Sequence, residues 1–296
     1  MSNELATLAV RFESAPYSRS LGIRVESIEP DRVRIRVPYK DENSNPGRAL
    51  HGGVAASIIT IAGALAAWSQ LDSAAALETG TLDLSVNYLA AAIGEDIIAA
   101  AEVLRRGKEI VYSEVDVRNE AGKRIAKGLL TYRAFDHATE PAARSRQRRA
   151  APSPLPSDVT ELIRGARTFV SVPFIARLGT EVERAHDGQA ILRMPFKDDN
   201  ADHDGAVHEG ALAALIDTTG ALASWSIVGL NFAYKASTVG IHVNYHTPAV
   251  KEDVVAHART LRRNNEIFLN TVTVSGHTSG AIIATGSVTY RIVVTE

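Results

Sequence analysis

Two histidines, His51 and His208, each precede a long run of small and apolar residues. Such a run predicts a buried helix, and the first N–H groups of a helix can stabilise a negatively charged oxygen. Nine residues beyond His208 lies Asp217, whose carboxylate can take a proton from water at neutral pH. The same place in the other run holds Thr60, which cannot act as such a base. The residue types therefore predict water activation beside a helix start, with an acid in only one of the two runs.

The two runs belong to a repeat that covers most of the chain. Residues 36–69 and 193–226 align without a gap at an offset of 157 residues, and they share 16 of 34 positions. This agreement predicts two copies of one domain. We expect an N-terminal domain at 1–135, a flexible or extended linker rich in Pro, Ala, Ser and Arg at 136–158, and a C-terminal domain at 159–296.

Strand patterns surround the predicted helix in each copy. Two alternating runs before the helix predict a hairpin, and four more strand-like runs follow it. The first of these four, at 81–89, alternates strictly, with Leu84 and Val86 on one face and Thr81 and Asp83 on the other. One long helix wrapped by an antiparallel sheet is an α+β architecture.

The composition limits the classes of function. Apolar content of 45% and charged content of 22% are typical of a globular protein, and a net charge of -2 favours neither nucleic acid nor an anionic membrane as a partner. Because the chain has no cysteine, disulfides, thiolate nucleophiles and cysteine-bound metals are excluded. No secretory signal or apolar run of about 18 residues is found, so we expect a soluble cytoplasmic protein.

A motif of the form Asn-x5-His-Gly-Gly is carried by Asn45, His51, Gly52 and Gly53, and a tyrosine-containing strand follows the helix behind it. With its partial repeat in the second copy, this pattern resembles the hotdog-fold acyl-CoA thioesterases of the phenylacetate-pathway (PaaI-like) type. The resemblance implies two tandem hotdog domains paired as a pseudo-dimer. It also implies hydrolysis of an acyl-CoA thioester by water, with no cofactor other than the coenzyme A of the substrate.

The resemblance also implies roles for individual residues. The Gly52 N–H would be the oxyanion donor, with Asn45 as its side-chain partner, and Asp217 would be the base or would orient the water. Nine helical residues span about 13 Å, so a site in this family combines the helix start of one domain with the acid of the other. The complete site would contain Asn45, His51, Gly52, Gly53 and Asp217. Thr238 falls where some relatives have a Ser or Thr that helps to hold the water.

The opposite combination of residues predicts a degenerate second site. Thr60 replaces the acid, Asp202 stands where the first copy has asparagine, and Glu209 stands where it has glycine. His208 and Gly210 are retained. We therefore expect the second site to be inactive or used only for binding.

Simpler interpretations stay open for several of these residues. His51 and His208 could cap their helices and hold the loops without touching a substrate. Asn45 could serve ordinary turn chemistry. Asp217 could be a local hydrogen-bonding group, although an unpaired carboxylate inside an apolar helix would be costly to bury.

Charged and metal-ligating residues elsewhere give weaker signals. Two arginine pairs at corresponding strand ends could bind the phosphates of coenzyme A, with solvated turn charges as the alternative. These are Arg105, Arg106, Arg262 and Arg263. His242 and His246 share a strand face, but no third ligand has a suitable spacing, so no metal site is predicted.

The expected function is hydrolysis of an acyl-CoA by a chain that associates into homo-oligomers, in the simplest case a dimer of double hotdogs. Two alternatives stay open. A non-catalytic acyl-CoA-binding or sensor protein would suit a chain with a degraded second site. An enoyl-thioester hydratase or dehydratase of the same fold would need a paired Asp and His hydration motif, which the sequence lacks.

Overall fold

The computed structural model describes residues 3–71, 77–136 and 165–294. Within these ranges, the two halves of the chain repeat one order of elements. The first half contains α1 (Asn3–Ser14), α2 (Pro16–Leu21), β1 (Arg24–Glu29), β2 (Arg32–Val37), a short 3-10 helix (Asp41–Asn43), α3 (Gly52–Trp68), β3 (Leu77–Tyr88), β4 (Ile97–Arg106), β5 (Ile110–Asn119) and β6 (Arg124–Asp136). The second half contains α4 (Ala166–Val170), α5 (Pro173–Leu178), β7 (Glu181–His186), β8 (Gln189–Met194), a 3-10 helix (Asp198–Asn200), α6 (Glu209–Val228), β9 (Lys235–Tyr245), β10 (Val254–Asn264), β11 (Ile267–Gly276) and β12 (Ile282–Val293). Asp136 ends β6, and the remainder of the predicted linker at 136–158 lies outside the described residues.

The strands form one continuous antiparallel sheet, in which each half has the same internal order. That order is β1-β2-β4-β5-β6-β3 in the first half, and it is mirrored as β9-β12-β11-β10-β8-β7 in the second. The halves join where β3 pairs with β9, from Asp83 opposite Asn244 to Asn87 opposite Gly240. The sheet packs against α3 and α6, which confirms the predicted α+β architecture.

Helices α3 and α6 are almost entirely buried because small residues let them approach each other and the sheet. A Cβ added to Gly53 would lie only 2.6 Å from the Cβ of Ala214, so the two helices meet at this glycine. Although α6 is long and apolar enough to cross a membrane, 89% of its most apolar window is buried within the protein. It is therefore the core helix of the second half.

The alternation predicted for β3 is correct for Leu84 and Val86, which are buried, but it is wrong for Thr81. The strand has a β-bulge between Thr81 and Asp83, which turns the Thr81 side chain to the buried face. The extra residue of a bulge shifts the alternation of side chains by one position. A second bulge lies in β9 just after Thr238. Both threonines therefore point toward the helices, although a strict period of two predicts otherwise for Thr81.

The short helices before each hairpin are not predicted by the sequence pattern, yet they shape the surroundings of both helix starts. Helices α2 and α5 each begin with a proline, whose fixed φ suits the first helical turn. The ring of Phe174 in α5 stacks on His51 at 4.7 Å, and the ring of Tyr17 in α2 packs on His208 at 4.8 Å. Each half thus supports the helix start of the other.

Candidate active site

A cavity of about 550 Å³ lies between the start of α3 and the middle of α6, and both halves of the chain line it. We refer to it as the first cavity. The first half contributes Asn45, His51, Gly52 and Tyr88. The second half contributes a wall with many apolar and aromatic residues and the polar residues Asp217 and Thr238 among others, formed in part by Val172, Ile175, Asp217, Trp225, Phe232, Tyr234, Thr238 and Tyr290. The cavity therefore contains the predicted helix start and the predicted acid together.

The start of α3 is held by His51, which is its N-cap. The Gly53 N–H donates to Nδ1 of His51 at 2.9 Å, which requires the imidazole proton to be on Nε2. Burial, together with the charge of Arg177, lowers the pKa of His51 to about 3, so the ring is neutral at pH 7. The N–H of Gly52 has no acceptor among the described residues, as is usual for the first donors of a helix. This free N–H lies at the positive end of the helix dipole.

Asp217 faces that helix start from the middle of α6. Its side chain is buried, and its Oδ1 accepts a hydrogen bond from the Thr238 hydroxyl at 2.5 Å. Its Oδ2 lies 3.0 Å from the place that a Cβ on Gly52 would occupy. A glycine at position 52 therefore leaves the space between the carboxylate and the helix start open.

Burial raises the pKa of Asp217 to about 6, and the hydrogen bond from Thr238 opposes this shift. No cation forms an ion pair with Asp217 in the described ranges. The carboxylate is thus mostly ionised at pH 7 and still a much better proton acceptor than an ordinary aspartate. Such a carboxylate in a cavity is a candidate general base.

Two other predicted members of this site differ in their placement. Asn45 lines the first cavity, and its side chain has no hydrogen-bond partner among the described residues. Gly53 does not line the cavity, because it is buried against Ala214 and Phe174, whose atoms lie 2.6 and 2.8 Å from where its Cβ would be. The structure therefore gives Gly53 a role in helix packing, in place of the substrate contact expected from the sequence.

A smaller cavity of about 180 Å³ lies at the corresponding place beside the start of α6. We refer to it as the second cavity, and it is lined in part by Ala15, Ser18, Thr60, Trp68, Tyr132, Asp202, His208 and Glu209. Thr60 donates to the carbonyl of Ala56 in its own helix at 3.0 Å. The carboxylate of Glu209 accepts hydrogen bonds from the Thr81 N–H at 2.8 Å and from the Thr81 hydroxyl.

The second cavity therefore contains a carboxylate bound to a threonine, a pairing that the alignment of the two copies does not predict. In the sequence Glu209 marks only the loss of a glycine, whereas in the structure its side chain is long enough to reach Thr81, the threonine that corresponds to Thr238. His208 caps α6 as His51 caps α3, with the Gly210 N–H at 2.9 Å from Nδ1. Gly210 itself is a packing residue, because its Cβ would lie 2.9 Å from the Cβ of Ser57.

Asp202 lines the second cavity, but its Oδ1 is occupied by its own loop. It accepts from the N–H groups of Asp204 at 2.9 Å and Ala206 at 3.0 Å. The asparagine expected at this position in an intact site is thus replaced by a residue with a local structural role.

None of the four arginines proposed for coenzyme A lines either cavity. Arg106 pairs with Asp31 at 2.6 Å and donates to the carbonyl of Ala67 at 3.1 Å, so its guanidinium holds the end of α3. Arg263 lies over the ring of Phe268 at 5.2 Å and donates to the carbonyl of Asn265. Arg105 and Arg262 lie opposite Tyr112 and Leu269 on neighbouring strands, and phosphate binding by these two arginines stays a prediction. His242 pairs with Asp83 at 3.0 Å on the sheet, away from both cavities.

Three aromatic residues of the first cavity carry no role in the sequence analysis. The Tyr88 hydroxyl donates to the carbonyl of Gly52 at 3.2 Å and so holds the start of α3. The Trp225 indole N–H donates to the Tyr290 hydroxyl at 3.2 Å. The repeat could have identified the tryptophan, since Trp68 and Trp225 align at the offset of 157 residues.

Comparisons with known proteins agree with the duplicated fold. The thioesterase superfamily matches residues 47–126 and 204–276, which together form more than half of the chain. Human acyl-coenzyme A thioesterase 13 is 32% identical over 118 residues, which cover 39% of this chain and 82% of the human protein. The medium/long-chain acyl-CoA thioesterase YigI of Escherichia coli is 30% identical over 132 residues, covering 40% of this chain and 84% of its own.

A crystal structure of a protein with a hot dog fold from Alicyclobacillus acidocaldarius aligns with a TM-score of 0.66 at 16% identity, covering 96% of this chain and 98% of that one. At this identity the likeness concerns the fold alone. Together with the two matched segments, it confirms the expectation of two tandem hotdog domains.

Proposed function

The chain belongs to the thioesterase superfamily, and from this premise we propose that it hydrolyses acyl-CoA thioesters to a free acid and coenzyme A. One observation carries the proposal for the site. The Asp217 carboxylate and the start of α3 line the same cavity, and Oδ2 lies 3.0 Å from the Cβ position of Gly52. A base and an oxyanion donor contributed by different halves of the chain can therefore act on one ligand.

In the proposed reaction, the thioester carbonyl lies at the start of α3. The Gly52 N–H and the helix dipole stabilise the carbonyl oxygen as it becomes negative. Asp217 takes a proton from a water molecule, whose oxygen attacks the carbonyl carbon, while Thr238 holds the carboxylate. The C–S bond then breaks, and the thiolate of coenzyme A leaves and takes up the proton. Coenzyme A enters as part of the substrate, and no resident cofactor or metal takes part in this scheme.

The wall of the first cavity supports an acyl group of medium or greater length. A volume of about 550 Å³ is in the usual range for small-molecule sites, and Trp225, Phe232 and Tyr234 give it an apolar lining. The E. coli relative YigI is named a medium/long-chain acyl-CoA thioesterase, which agrees with this choice. We therefore expect decanoyl-CoA to be a better substrate of this cavity than acetyl-CoA.

We also propose that the chain associates into a dimer of double hotdogs in the cytoplasm. Exposed apolar side chains recur at corresponding positions of β4 and β5 in the first half and β10 and β11 in the second, such as Leu104 with Leu261 and Tyr112 with Leu269. An apolar face repeated in this way favours association between copies. Sedimentation equilibrium of the wild-type chain and of the Leu269→Glu variant would test the association. A wild-type chain that stays monomeric would contradict it.

Release of free thiol tests the proposed function. We expect the wild-type chain to release coenzyme A from decanoyl-CoA, and we expect Asp217→Asn to lower kcat about 1,000-fold, since general base catalysis is worth about 100- to 10,000-fold. Asp187→Asn is the matched control, because Asp187 is 89% exposed in a turn. Full activity of Asp217→Asn would refute the assignment of the base.

A screen of the wild type over acetyl-, hexanoyl-, decanoyl-, palmitoyl- and phenylacetyl-CoA would define the acyl group. Tight binding without thiol release would favour an acyl-CoA sensor. Formation of a hydrated product from an enoyl-CoA would favour a hydratase.

A further inference from the structure

Each cavity contains a carboxylate of α6 that accepts a hydrogen bond from a threonine, and the two threonines occupy equivalent positions. Asp217 accepts from Thr238 in the first cavity, and Glu209 accepts from Thr81 in the second. Thr81 and Thr238 are separated by the offset of 157 residues, and each lies directly before the bulge of its strand. The second cavity therefore retains the pairing of acid and threonine that the first cavity has.

The acid reaches its threonine from a different helix position in each cavity. Gly52 aligns with Glu209, and Asp217 aligns with Thr60. Because a Cβ on Gly52 would lie 3.0 Å from Oδ2 of Asp217, the place of that carboxylate is within reach of a side chain that begins at the helix start. Glu209 is such a side chain in the other helix. The loss of the acid at position 60 is thus offset by an acid at position 209.

The remaining parts of the second cavity match those of the first. His208 caps α6, and the N–H of Glu209 has no acceptor among the described residues. The Tyr245 hydroxyl donates to the carbonyl of Glu209 at 3.0 Å, as Tyr88 does to Gly52. A free N–H at the positive end of a helix of 20 residues is therefore present beside the Glu209 carboxylate.

The Glu209 carboxylate has no cationic partner in the part of the chain that the structure describes. Its partners there are the N–H and hydroxyl of Thr81. Partial burial of a carboxylate without a cation lowers the stability of a fold, and such groups concentrate at functional sites. A purely structural role would not compensate for this loss of stability.

The second cavity is smaller and more polar than the first. Its volume is about 180 Å³, compared with about 550 Å³. Ala15 and Ser18 line it where Val172 and Ile175 line the first cavity. Arg11 and His203 line the second cavity and are joined by a hydrogen bond of 2.6 Å between Nε2 of His203 and the carbonyl of Arg11. This space suits a short acyl group.

We propose that the second cavity is a second active site, which hydrolyses thioesters of short acyl groups with Glu209 as its base. The proposal rests on the proposed function of the chain. The Glu209 carboxylate takes a proton from water, the water oxygen bonds to the carbonyl carbon, and the C–S bond breaks. The thiolate leaves with the proton, and the short-chain acid is released. No further reactant is needed.

Thiol release from acetyl-CoA and from decanoyl-CoA by the full chain tests the proposal. We expect Asp217→Asn to lose decanoyl-CoA turnover and to keep acetyl-CoA turnover. Adding Glu209→Gln to this variant should lower acetyl-CoA turnover at least 100-fold, whereas Glu209→Gln alone should leave decanoyl-CoA turnover within twofold. Loss of both activities in Asp217→Asn, or unchanged acetyl-CoA turnover in the double variant, would overturn the proposal.

A matched pair of cavity-filling variants gives a second test that leaves both acids in place. Ala64 and Ala221 align in the repeat, and each lines one cavity. Ala64→Leu should lower acetyl-CoA turnover selectively, and Ala221→Leu should lower decanoyl-CoA turnover selectively. A wild-type chain that cleaves decanoyl-CoA but not acetyl-CoA would overturn the proposal of a second active site and leave the proposed function intact. A wild-type chain that cleaves neither would sink the proposed function as well.

Discussion

The first and second cavities are built by equivalent elements, but α6 supplies the threonine-bound carboxylate of both. Asp217 enters the first cavity from the middle of α6, and Glu209 enters the second from the start of the same helix. Helix α3 contains no acidic residue, and it supplies Gly52 to one cavity and Thr60 to the other. The copies have therefore diverged so that the C-terminal copy contributes every acid and the N-terminal copy contributes the open helix start.

The threonines explain how an acid could change its position along the helix. Both bulges turn a threonine inward, so each cavity offers the same hydrogen-bond donor whichever helix position carries the carboxylate. The side chain of Glu209 adds atoms at the start of α6, whereas the first cavity has only a glycine at the start of α3. The second cavity is accordingly the smaller one, with a volume of about 180 Å³ compared with about 550 Å³ for the first.

The largest effect should come from removing the charge of Asp217. Its pKa is raised to about 6 from 3.8, so the ionised form is less favourable in the folded chain than in the unfolded chain. The stability that the protonated form contributes is present below pH 3.8 and is lost as the pH rises through 6. Asp217→Asn should therefore raise the free energy of unfolding at pH 7 by about 3 kcal/mol, at 1.36 kcal/mol per pKa unit.

Urea unfolding of both chains at pH 7 and pH 4 measures this effect. The gain should nearly vanish at pH 4, where the carboxyl is protonated in the folded chain. The exposed Asp187→Asn control should change stability at neither pH. Equal stability of wild type and Asp217→Asn at pH 7 would show that the first cavity accommodates the charge without cost. The raised pKa of Asp217 would then be wrong.

The adjacent glycines of α3 should respond differently to the same substitution. In Gly52→Ala, the new Cβ lies 3.0 Å from Oδ2 of Asp217, so the carboxylate must shift by a few tenths of an ångström. We expect kcat/KM for decanoyl-CoA to fall about 100-fold with little change in stability. In Gly53→Ala, the Cβ lies 2.6 Å from that of Ala214, and overpacking should cost about 1–3 kcal/mol of stability.

Thermal unfolding and thiol release, measured on both alanine variants, separate the two expectations. If Gly52→Ala lost stability and kept its activity, the open helix start would be a packing feature, and the two glycines would have the same role.

Much of this fold could be predicted from the sequence because the two aligned copies of a repeat are expected to share one fold. The offset of 157 residues aligns Thr60 with Asp217 and identifies the helices, and the resemblance to hotdog thioesterases implies the roles expected in the first cavity. The inward turn of Thr81 does not follow, since a bulge breaks the period on which strand faces are assigned. The place of the Glu209 carboxylate also does not follow, because alignment compares backbone positions and ignores the reach of a side chain.

The short helices and the packing glycine escape prediction for related reasons. Six residues from Pro16 to Leu21 are too few for a helical period, and their helix is stabilised by contacts with the other half, such as Tyr17 on His208. Gly53 belongs to the motif by sequence, but only the crossing of α3 and α6 gives it a place against Ala214. In each case the deciding contact joins residues that are distant in the chain.

A smaller effect is expected from Thr238. Thr238→Val removes the hydroxyl that holds Oδ1 of Asp217 at 2.5 Å while keeping the shape of the side chain. One hydrogen bond to a charged group contributes about 1.5–3 kcal/mol, and part of that should be recovered by water, so kcat/KM for decanoyl-CoA should fall about tenfold. Thr271→Val, on the exposed side of β11, is the matched control. Equal activities of the two variants would mean that the threonine does not position the base.

The smallest effect should be a change in the pH dependence of the first cavity. With the pKa of Asp217 at about 6, kcat/KM for decanoyl-CoA should fall tenfold per pH unit below 6 and level off above 7. The two capping histidines do not contribute in this window, because burial lowers their pKa to about 3 for His51 and about 4 for His208. In Thr238→Val the midpoint should move upward, since the lost hydrogen bond had lowered the pKa of Asp217. A midpoint that stays in place in Thr238→Val, or a rate that is constant from pH 5 to 8, would assign the proton transfer to a group other than this carboxylate.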